Sequence, residues 1–469
     1  MLRRVRGNFA ILMGSALLCA APARALANWR TTAGIALQAS ETYNDSLFLR
    51  TGDAAVVQQR EGDFITSVRP GFRLRYEKPT QSHEATWIFG IQKFVNHPNL
   101  DNADNRVEWE SAFEHSESTR TRFTNLLVHG NVNNVSESAG PGQLDVGSGG
   151  SVGAQSASFV YDIAALYHER ELDERTTLRL GTTAEGFRPL DPSPNPQGVG
   201  GDALSFGTRL EYEIEQLRNI HRSSVQVDYA WLEQRLDFLT AEATQRFTRD
   251  ITERIEGRIE LGAAMATDIE PSGMPATRFH DVYYGPVGSA RFKYENVFMR
   301  FVAELTHSMG ANVEYQTLQV EDILSAGVEY VINEDLYFTA GVSANMSRFT
   351  LPGAGDQPDF QRVAVLNGDL ELEWTVKDGY VLIGRYNGRV QRATTQVIPG
   401  GAAVPFDLDF ERNLVTVALR FSLPAEPRMT RLAPDEARRR QEDDLERLQD
   451  LNAERLRATP APVESVGEN

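Results

Sequence analysis

The sequence predicts an all-β protein, an antiparallel transmembrane β-barrel of about eighteen strands followed by a charged C-terminal tail. Three features of the 469-residue chain support this prediction. Apolar and polar residues alternate with period two, short polar turns alternate with long loops, and aromatic residues recur where strands end. A composition of 41% hydrophobic and 24% charged residues is that of an ordinary folded protein.

The first residues have the pattern of a secretory signal peptide. Basic residues from Arg3 to Arg6 precede an apolar run, Phe9 to Ala21, and Ala25-Leu26-Ala27 supplies the small residues of a cleavage site. A retained membrane anchor is the alternative, but the apolar run is too short to span a bilayer. The single cysteine, Cys19, lies inside this run, so cleavage would leave a mature chain without disulfides.

The charge and hydropathy of the remaining chain exclude two classes of protein. The formal charge is −18, and removal of a signal that contains four arginines would make it −22. An acidic exported chain lacks the basic surface that nucleic-acid binding requires. No later apolar run approaches the length of a membrane helix, so a chain that spans a membrane must do so with strands.

The stretch Gly327 to Val342, "GVEYVINEDLYFTAGV", illustrates the strand pattern. Every second residue is apolar on both sides of the polar turn Asn333-Glu334-Asp335, which predicts a β-hairpin with one apolar face. Similar segments occur along the whole chain, and nine of them end on an aromatic residue. These endings are Tyr76, Phe113, Tyr167, Tyr212, Phe247, Tyr294, Tyr330, Trp374 and Phe421. Pairing each with a second strand gives about eighteen strands.

The two faces of these strands differ in polarity. We expect the apolar stripe, including Tyr161, Ile163 and Tyr167 in one strand, to face lipid, and the charged stripe to face a watery lumen. The wet outer face of a soluble β-sandwich is an alternative for the charges. Aromatic residues at the short-turn ends favour the membrane, where they would form an interfacial girdle. They are Trp29, Tyr76, Tyr167, Tyr212, Tyr294, Tyr330, Trp374 and Tyr380.

These patterns divide the chain into a signal peptide at 1–27, a barrel at 28–424 and a charged periplasmic tail at 425–469. Leu414 to Leu423, "LVTVALRFSL", resembles the closing strand that the barrel-assembly machinery reads in outer-membrane proteins. In the tail, residues 435–458 are predicted to form a helix with a narrow leucine stripe. It would dock to a partner, or the tail would be a solvated, partly disordered extension.

The sequence offers no motif for catalysis, so we predict that the protein is not an enzyme and uses no cofactor. The glycine-serine run from Gly147 to Ser151 lies in a predicted long loop without the strand and helix of a nucleophile elbow. The chain contains no His-Glu-x-x-His and no phosphate-binding glycine loop. None of the eight histidines forms a metal-spaced pair. The oxygen-rich stretch Asp101 to Asn105 lacks the full pattern of a calcium loop, and we interpret it as an outer loop.

Inward-facing charges are the candidate pore-lining residues. The basic candidates are Arg69, Arg73, Arg75, Arg385 and Arg389; the acidic candidates are Glu108, Glu110, Glu371 and Glu373. Closure of a barrel would bring the basic strands to the same side of the wall, where they could guide an anionic solute. Alternatively, the inward charges pair with one another and only keep the lumen wet.

Two stretches carry a family resemblance. Glu41 to Leu49, "ETYNDSLFL", followed by Asp63 to Tyr76, "DFITSVRPGFRLRY", resembles the start of a family of outer-membrane β-barrel porins, the β-barrel porin 2-like proteins. Some members accompany exopolysaccharide secretion genes. The resemblance implies a barrel in contact with outer-membrane lipid and lipopolysaccharide, and it suggests polysaccharide-secretion components as partners.

Two functional hypotheses follow. The first is a channel for hydrophilic solutes, with export of an anionic exopolysaccharide as its most specific form. The second is a plugged barrel that displays the long loops Asn131 to Ser158 and Pro189 to Asp202 for adhesion or surface assembly.

Overall fold

A computed structural model describes residues 30–45, 62–98, 101–131, 158–190, 202–232, 237–269, 282–312, 317–350, 360–395 and 410–423. The predicted signal peptide, Trp29, the C-terminal tail and most of both long display loops lie outside these residues. In the described part of the chain, no helix has the length and apolar character that a membrane crossing requires.

Eighteen strands account for nearly all of the described residues. They are β1 (Arg30–Asn44), β2 (Asp63–Lys78), β3 (Gln81–Phe94), β4 (Asn102–Ser116), β5 (Thr119–Asn131), β6 (Ser158–Asp173), β7 (Thr176–Pro189), β8 (Ala203–Gln216), β9 (Asn219–Leu232), β10 (Asp237–Thr252), β11 (Ile255–Ile269), β12 (Val282–Glu295), β13 (Met299–Asn312), β14 (Thr317–Val331), β15 (Leu336–Thr350), β16 (Phe360–Lys377), β17 (Tyr380–Thr395) and β18 (Phe410–Leu423).

The strands form one closed antiparallel sheet. Each strand pairs with its neighbours in sequence, and β1 pairs with β18 over Ile35 to Asn44, which closes the barrel. Closure matters because a sheet edge cannot remain unpaired in lipid. The prediction of an eighteen-stranded antiparallel barrel is therefore confirmed, and the nine aromatic endings mark the nine even-numbered strands.

Short turns join the strands at one end of the barrel, which we call the short-turn end; the other is the long-loop end. Connections of two residues follow β2, β4, β6, β8, β10 and β16. Gly379, between β16 and β17, has a φ of 82°, a conformation that glycine adopts without strain. The predicted hairpin is also observed, with β14 and β15 joined across residues 332–335.

Alternate residues of each strand point outward and inward, as the pleat of a β-strand requires. Large apolar side chains occupy the outward positions and remain exposed, for example Leu324 on β14, Leu305 on β13 and Leu370 on β16. Charged and hydroxyl side chains occupy most inward positions, including buried Arg179, Glu213 and Glu371. An apolar outer surface around a polar interior is the reverse of a soluble protein and typical of a transmembrane barrel.

Strand β6 contradicts the predicted facing. Tyr161 and Ile163 are buried on the inward face, where they pack against Leu126 and Val128 of β5, and Tyr167 shares their face. The register of the β6–β7 hairpin explains the difference, since it pairs outward Leu180 with His168 and inward Arg179 with Glu169. The apolar stripe of β6 therefore lines the interior, and Tyr167 is not part of an outer girdle.

The predicted outer loop at Asp101 to Asn105 is largely strand, because β4 begins at Asn102. Asp104 points inward and occupies the space over Gly90, which has no side chain to obstruct it. Asp101 precedes the strand. Its carboxylate accepts hydrogen bonds from Lys93 Nζ at 2.5 Å and the Phe94 N–H at 2.9 Å, which lower its pKa.

The outward facing of β14 can be tested by substitution. We expect Leu324→Arg to lower the free energy of unfolding by about 2–4 kcal/mol, because a charge at the middle of a lipid-facing strand is poorly solvated. Its neighbour Ser325 points inward opposite Glu304, so Ser325→Arg should cost much less. Urea unfolding of each variant from lipid vesicles measures both values. Equal losses would contradict the assigned faces.

Candidate permeation pathway

The interior of the barrel is lined by the inward positions of all eighteen strands, and all nine predicted candidates occupy such positions. On β2, Arg69, Arg73 and Arg75 alternate with exposed, outward Phe72 and Leu74. The remaining candidates also alternate with outward residues. The outward neighbours are Trp109 on β4, exposed Leu370 and Leu372 on β16, and exposed Tyr386 on β17.

The two basic strands lie close together in the wall. Only β18 and β1 separate β17 from β2, since β18 pairs with β17 on one side and with β1 on the other. This arrangement follows from closure of the barrel. The arginines of β2 and β17 therefore share one side of the lumen.

The arginines of β2 are paired with carboxylates. Arg73 Nε lies 2.7 Å from Glu84 Oε1, and Arg75 Nη2 lies 2.5 Å from Glu77 Oε1. Arg69 Nη2 is 3.8 Å from Asp104 Oδ2. The basic candidates consequently form a row of ion pairs, and their positive charge is locally balanced.

The candidates on β16 and β17 are also paired, and two of them are covered by their surroundings. Arg385 Nε lies 3.5 Å from Glu371 Oε2, and Glu373 Oε2 lies 3.6 Å from Arg420 Nη2 of β18. Arg389 donates a hydrogen bond of 3.3 Å to Gln391. Glu371 and Arg389 are only 5% and 3% exposed, so lumen water scarcely reaches either side chain.

The acidic candidates on β4 are more accessible. Glu108 accepts a 2.5 Å contact from Arg106 Nε, and Glu110 accepts one of 2.6 Å from Arg122 Nη2. The side chains of Arg73, Arg75 and Glu110 are each nearly half exposed, at 49%, 46% and 46%. These exposed ion pairs, together with Glu108, are the predicted charges that a solute in the lumen could contact.

A second set of inward charges, which the sequence-based candidates omitted, extends from β6 to β13. Its centre is a bidentate pair in which Arg179 Nη1 and Nη2 donate to both carboxylate oxygens of Glu213, at 2.8 and 2.9 Å. Arg179 Nε also donates to Glu169 at 2.7 Å, and Arg222 Nη2 lies 2.6 Å from Glu213. These side chains are far less exposed than Arg73 of β2 and Glu110 of β4.

The same network continues across the next strands. Arg246 Nη2 lies 2.8 Å from Glu260 Oε2, and Thr244 donates a 2.8 Å hydrogen bond to the other oxygen of this carboxylate. Arg258 Nη2 lies 3.1 Å from Glu304 of β13. Buried, geometrically matched pairs of this kind fix the shape of a wall rather than recruit a solute.

The sequence contained a signal for this second network, namely opposite charges at equal distances on the two sides of a short turn. The two-residue turn 217–218 places Glu213 opposite Arg222, and the turn 174–175 places Glu169 opposite Arg179. Opposite charges at directly paired positions on the inward face predict cross-strand ion pairs.

A small cavity lies against this network on the lumen side. It has a volume of about 160 Å³ and is lined by charged side chains that include Arg209, Arg246, Arg258, Glu260 and Glu304. Its polar lining suits water or a small polar group. Among the described residues, no group of three or more His, Cys, Asp or Glu side chains is placed to hold a metal ion.

Comparisons with known proteins find similarity at the level of structure alone. No family model matches the chain, so the resemblance at residues 41–76 stays a prediction, and no curated protein sequence matches either.

Several solved structures share its general architecture. OccK2 (OpdF) of Pseudomonas aeruginosa, solved in complex with glucuronate, is 12% identical with a TM-score of 0.44, over 84% of this chain and 98% of that one. The FrpB iron transporter of Neisseria meningitidis is 6% identical with a TM-score of 0.46, over 84% and 82%. The ferric-catecholate import receptor Fiu of E. coli K12 is 12% identical with a TM-score of 0.40, over 84% and 82%. Similarity at this level does not carry a function from one chain to another.

The difference between the buried and exposed ion pairs predicts different effects on stability. We expect Glu213→Ala to lower the free energy of unfolding by about 3–5 kcal/mol, because it leaves the buried cations Arg179 and Arg222 without their shared carboxylate. Glu110→Ala, which removes an exposed partner, should cost about 0–1 kcal/mol. Chemical unfolding in one lipid and buffer compares the two. Similar costs would show that the β6–β13 network is as solvated as the β4 pairs.

Proposed function

We propose that this chain is an outer-membrane channel through which small hydrophilic solutes diffuse passively. The observation that carries the proposal is the contrast between its two surfaces. Exposed apolar residues cover the outside, whereas charged side chains of both signs line the inside of a closed eighteen-stranded wall. Barrels of this strand number are wide enough to enclose an aqueous channel.

The barrel would have a defined orientation in the membrane and a defined route to it. Short turns on the periplasmic side and long loops outside are the usual arrangement of outer-membrane barrels. The short-turn end would then face the periplasm. Residues 1–27 would direct export, and the barrel-assembly machinery would insert the chain beside lipid and lipopolysaccharide.

The exposed ion pairs suggest how the lumen would act on solutes. Arg73 and Arg75 on β2, with Glu84 and Glu77, and Glu110 with Arg122 on β5, present both signs of charge to lumen water. Such charges would replace part of the hydration of a polar solute as it passes. They would favour small polar or charged molecules over apolar ones.

The ion pairing of the predicted arginines argues against the narrower hypothesis of polysaccharide export. A long polyanion would be guided best by a continuous basic surface, whereas the predicted arginines each lie beside a carboxylate or amide. The paired charges therefore favour small hydrophilic solutes over a long polyanion. The display hypothesis concerns loops that lie almost wholly outside the described residues, and no contact of the barrel favours it.

Planar-bilayer recordings test the channel. We expect the purified wild-type protein to give discrete conductance steps, and the double variant Arg73→Gln/Arg75→Gln to shift the reversal potential in a salt gradient towards cations. The reason is that the substitutions leave the exposed carboxylates Glu77 and Glu84 unneutralised. Glu110→Gln should shift the potential the other way.

Arg392→Gln is the matched control, because Arg392 is an exposed arginine that shares an ion pair with Glu411 on the outward face. Its selectivity should equal that of the wild type. An absence of conductance in the folded wild type would refute the proposed function. An equal shift in the Arg392 variant would refute the role assigned to the inward arginines.

A further inference from the structure

The backbone ladder of the barrel is interrupted between β12 and β13. Pairing between these strands runs from Glu295↔Arg300 to Gly288↔His307 and stops there. Within the described strands, the remaining part of β12, Val282 to Val287, has no ladder pairing on its β13 side. The same residues stay paired with β11 as far as Val282, and β13 stays paired with β14 as far as Asn312. The gap is therefore confined to one seam at the long-loop end.

The seam exists because β13 leans into the barrel. Cα atoms of β13 come within 8 Å of Cα atoms of β10 and β11. Neighbouring strands lie about 4.8 Å apart, so a flat wall would hold β13 about 14 Å from β10, three positions away. Pro286 lies in the unpaired part of β12, and proline has no N–H to donate to a ladder.

Apolar side chains close the seam on the inner side. Met309 of β13 and Val287 of β12 belong to a buried cluster with Phe238 and the small side chains of Ala264 and Ala266. A Cβ at Gly285 would lie 3.6 Å from the sulfur of Met309, in ordinary contact. Van der Waals packing of one flexible methionine thus seals a gap that hydrogen bonds close elsewhere.

Polar groups lie directly below this apolar layer on both sides of the wall. The charged cavity extends to Thr306, His307, Ser308 and Met309 of β13. His307 shares the outward face of β13 with exposed Leu305. Its Nδ1 lies 2.6 Å from Asp322 Oδ1, and Arg348 Nη2 lies 3.5 Å from Asp322 Oδ2. Ionisable groups on a lipid-facing surface are costly, and these three lie beside the unpaired part of the seam.

We propose that the β12–β13 seam is a lateral portal between the lumen and the outer part of the membrane, and that it takes a single-chain anionic amphiphile such as a long-chain fatty acid. The polar layer accommodates the head group, because two basic side chains share one carboxylate at its outer end. The apolar layer accommodates the chain, which displaces Met309 from Val287. This route is separate from axial diffusion and does not depend on it.

Photo-crosslinking in lipid nanodiscs tests the portal. The probe is a long-chain fatty acid with a diazirine near its methyl end, and mass spectrometry maps the labelled residues. Lipid-facing residues such as Leu305 and Tyr284 will react with any acyl chain. We expect additional labelling of Ala264, Val287 and Met309, which form the buried cluster behind the seam, and none of these three by the uncharged methyl ester of the same probe. Labelling restricted to outward residues, or equal labelling by the ester, would overturn the proposal.

Matched variants separate the portal from general lipid contact. Arg348→Gln should reduce the inward labelling about tenfold, the effect of losing one charge-assisted contact of about 1.4 kcal/mol. Arg392 is an exposed outward arginine that pairs with Glu411 of β18, far from the seam in the strand order, so Arg392→Gln should leave the inward labelling unchanged. Equal reductions in both variants would contradict the role of the His307–Asp322–Arg348 cluster.

A disulfide across the seam provides a second test, because the mature chain is expected to contain no cysteine. If the ladder continued in register, Gly285 would face Gly310. In the oxidised fraction of Gly285→Cys/Gly310→Cys, inward labelling should fall to background and return on reduction. The control, Gly327→Cys/Gly341→Cys, joins two glycines that already face each other on β14 and β15. Persistent labelling in the oxidised test variant would overturn the portal, whatever the conductance measurements show.

Discussion

The structure depends on one constraint, which is that backbone N–H and C=O groups surrounded by lipid must be satisfied within the chain. Pairing of β1 with β18 meets it by removing the two sheet edges. Once the ladder is closed, its register decides the facing of every side chain, because a shift of one residue would exchange the two faces of a strand. The apolar outside and the charged inside are both consequences of that register.

Register also decides which charges meet inside the barrel. Direct pairing across short turns brings Glu213 to Arg222 and Glu169 to Arg179, where little water reaches them. In the same type of pair, Arg73 of β2 and Glu110 of β4 stay nearly half exposed. One side of the wall thus carries charges that hold strands together, and another carries charges that a solute can reach. Chemical type alone does not distinguish these roles; exposure does.

Much of this arrangement could be predicted from the sequence, and the predictions that failed did so for one common reason. Period-two patterns and aromatic endings were sufficient for strand number, and they placed all nine candidate charges on inward positions. They failed at β6, where both faces contain apolar residues and the hairpin register with β7 decides between them. Asp104 was misplaced because its position depends on Gly90 of a neighbouring strand. Periodicity within one strand contains no information about its neighbours.

The seam between β12 and β13 shows what happens where the governing constraint is relaxed. A backbone group left unpaired in lipid costs several kcal/mol, and burial of a side chain such as Met309, which contributes about 1.5–3 kcal/mol, offsets part of that cost. Pro286 lowers the cost further, since one N–H is missing from the start. At this seam the packing of Met309 therefore stands where ladder pairing has stopped. Between β12 and β13, apolar packing, which an acyl chain can imitate, therefore takes over from hydrogen bonding.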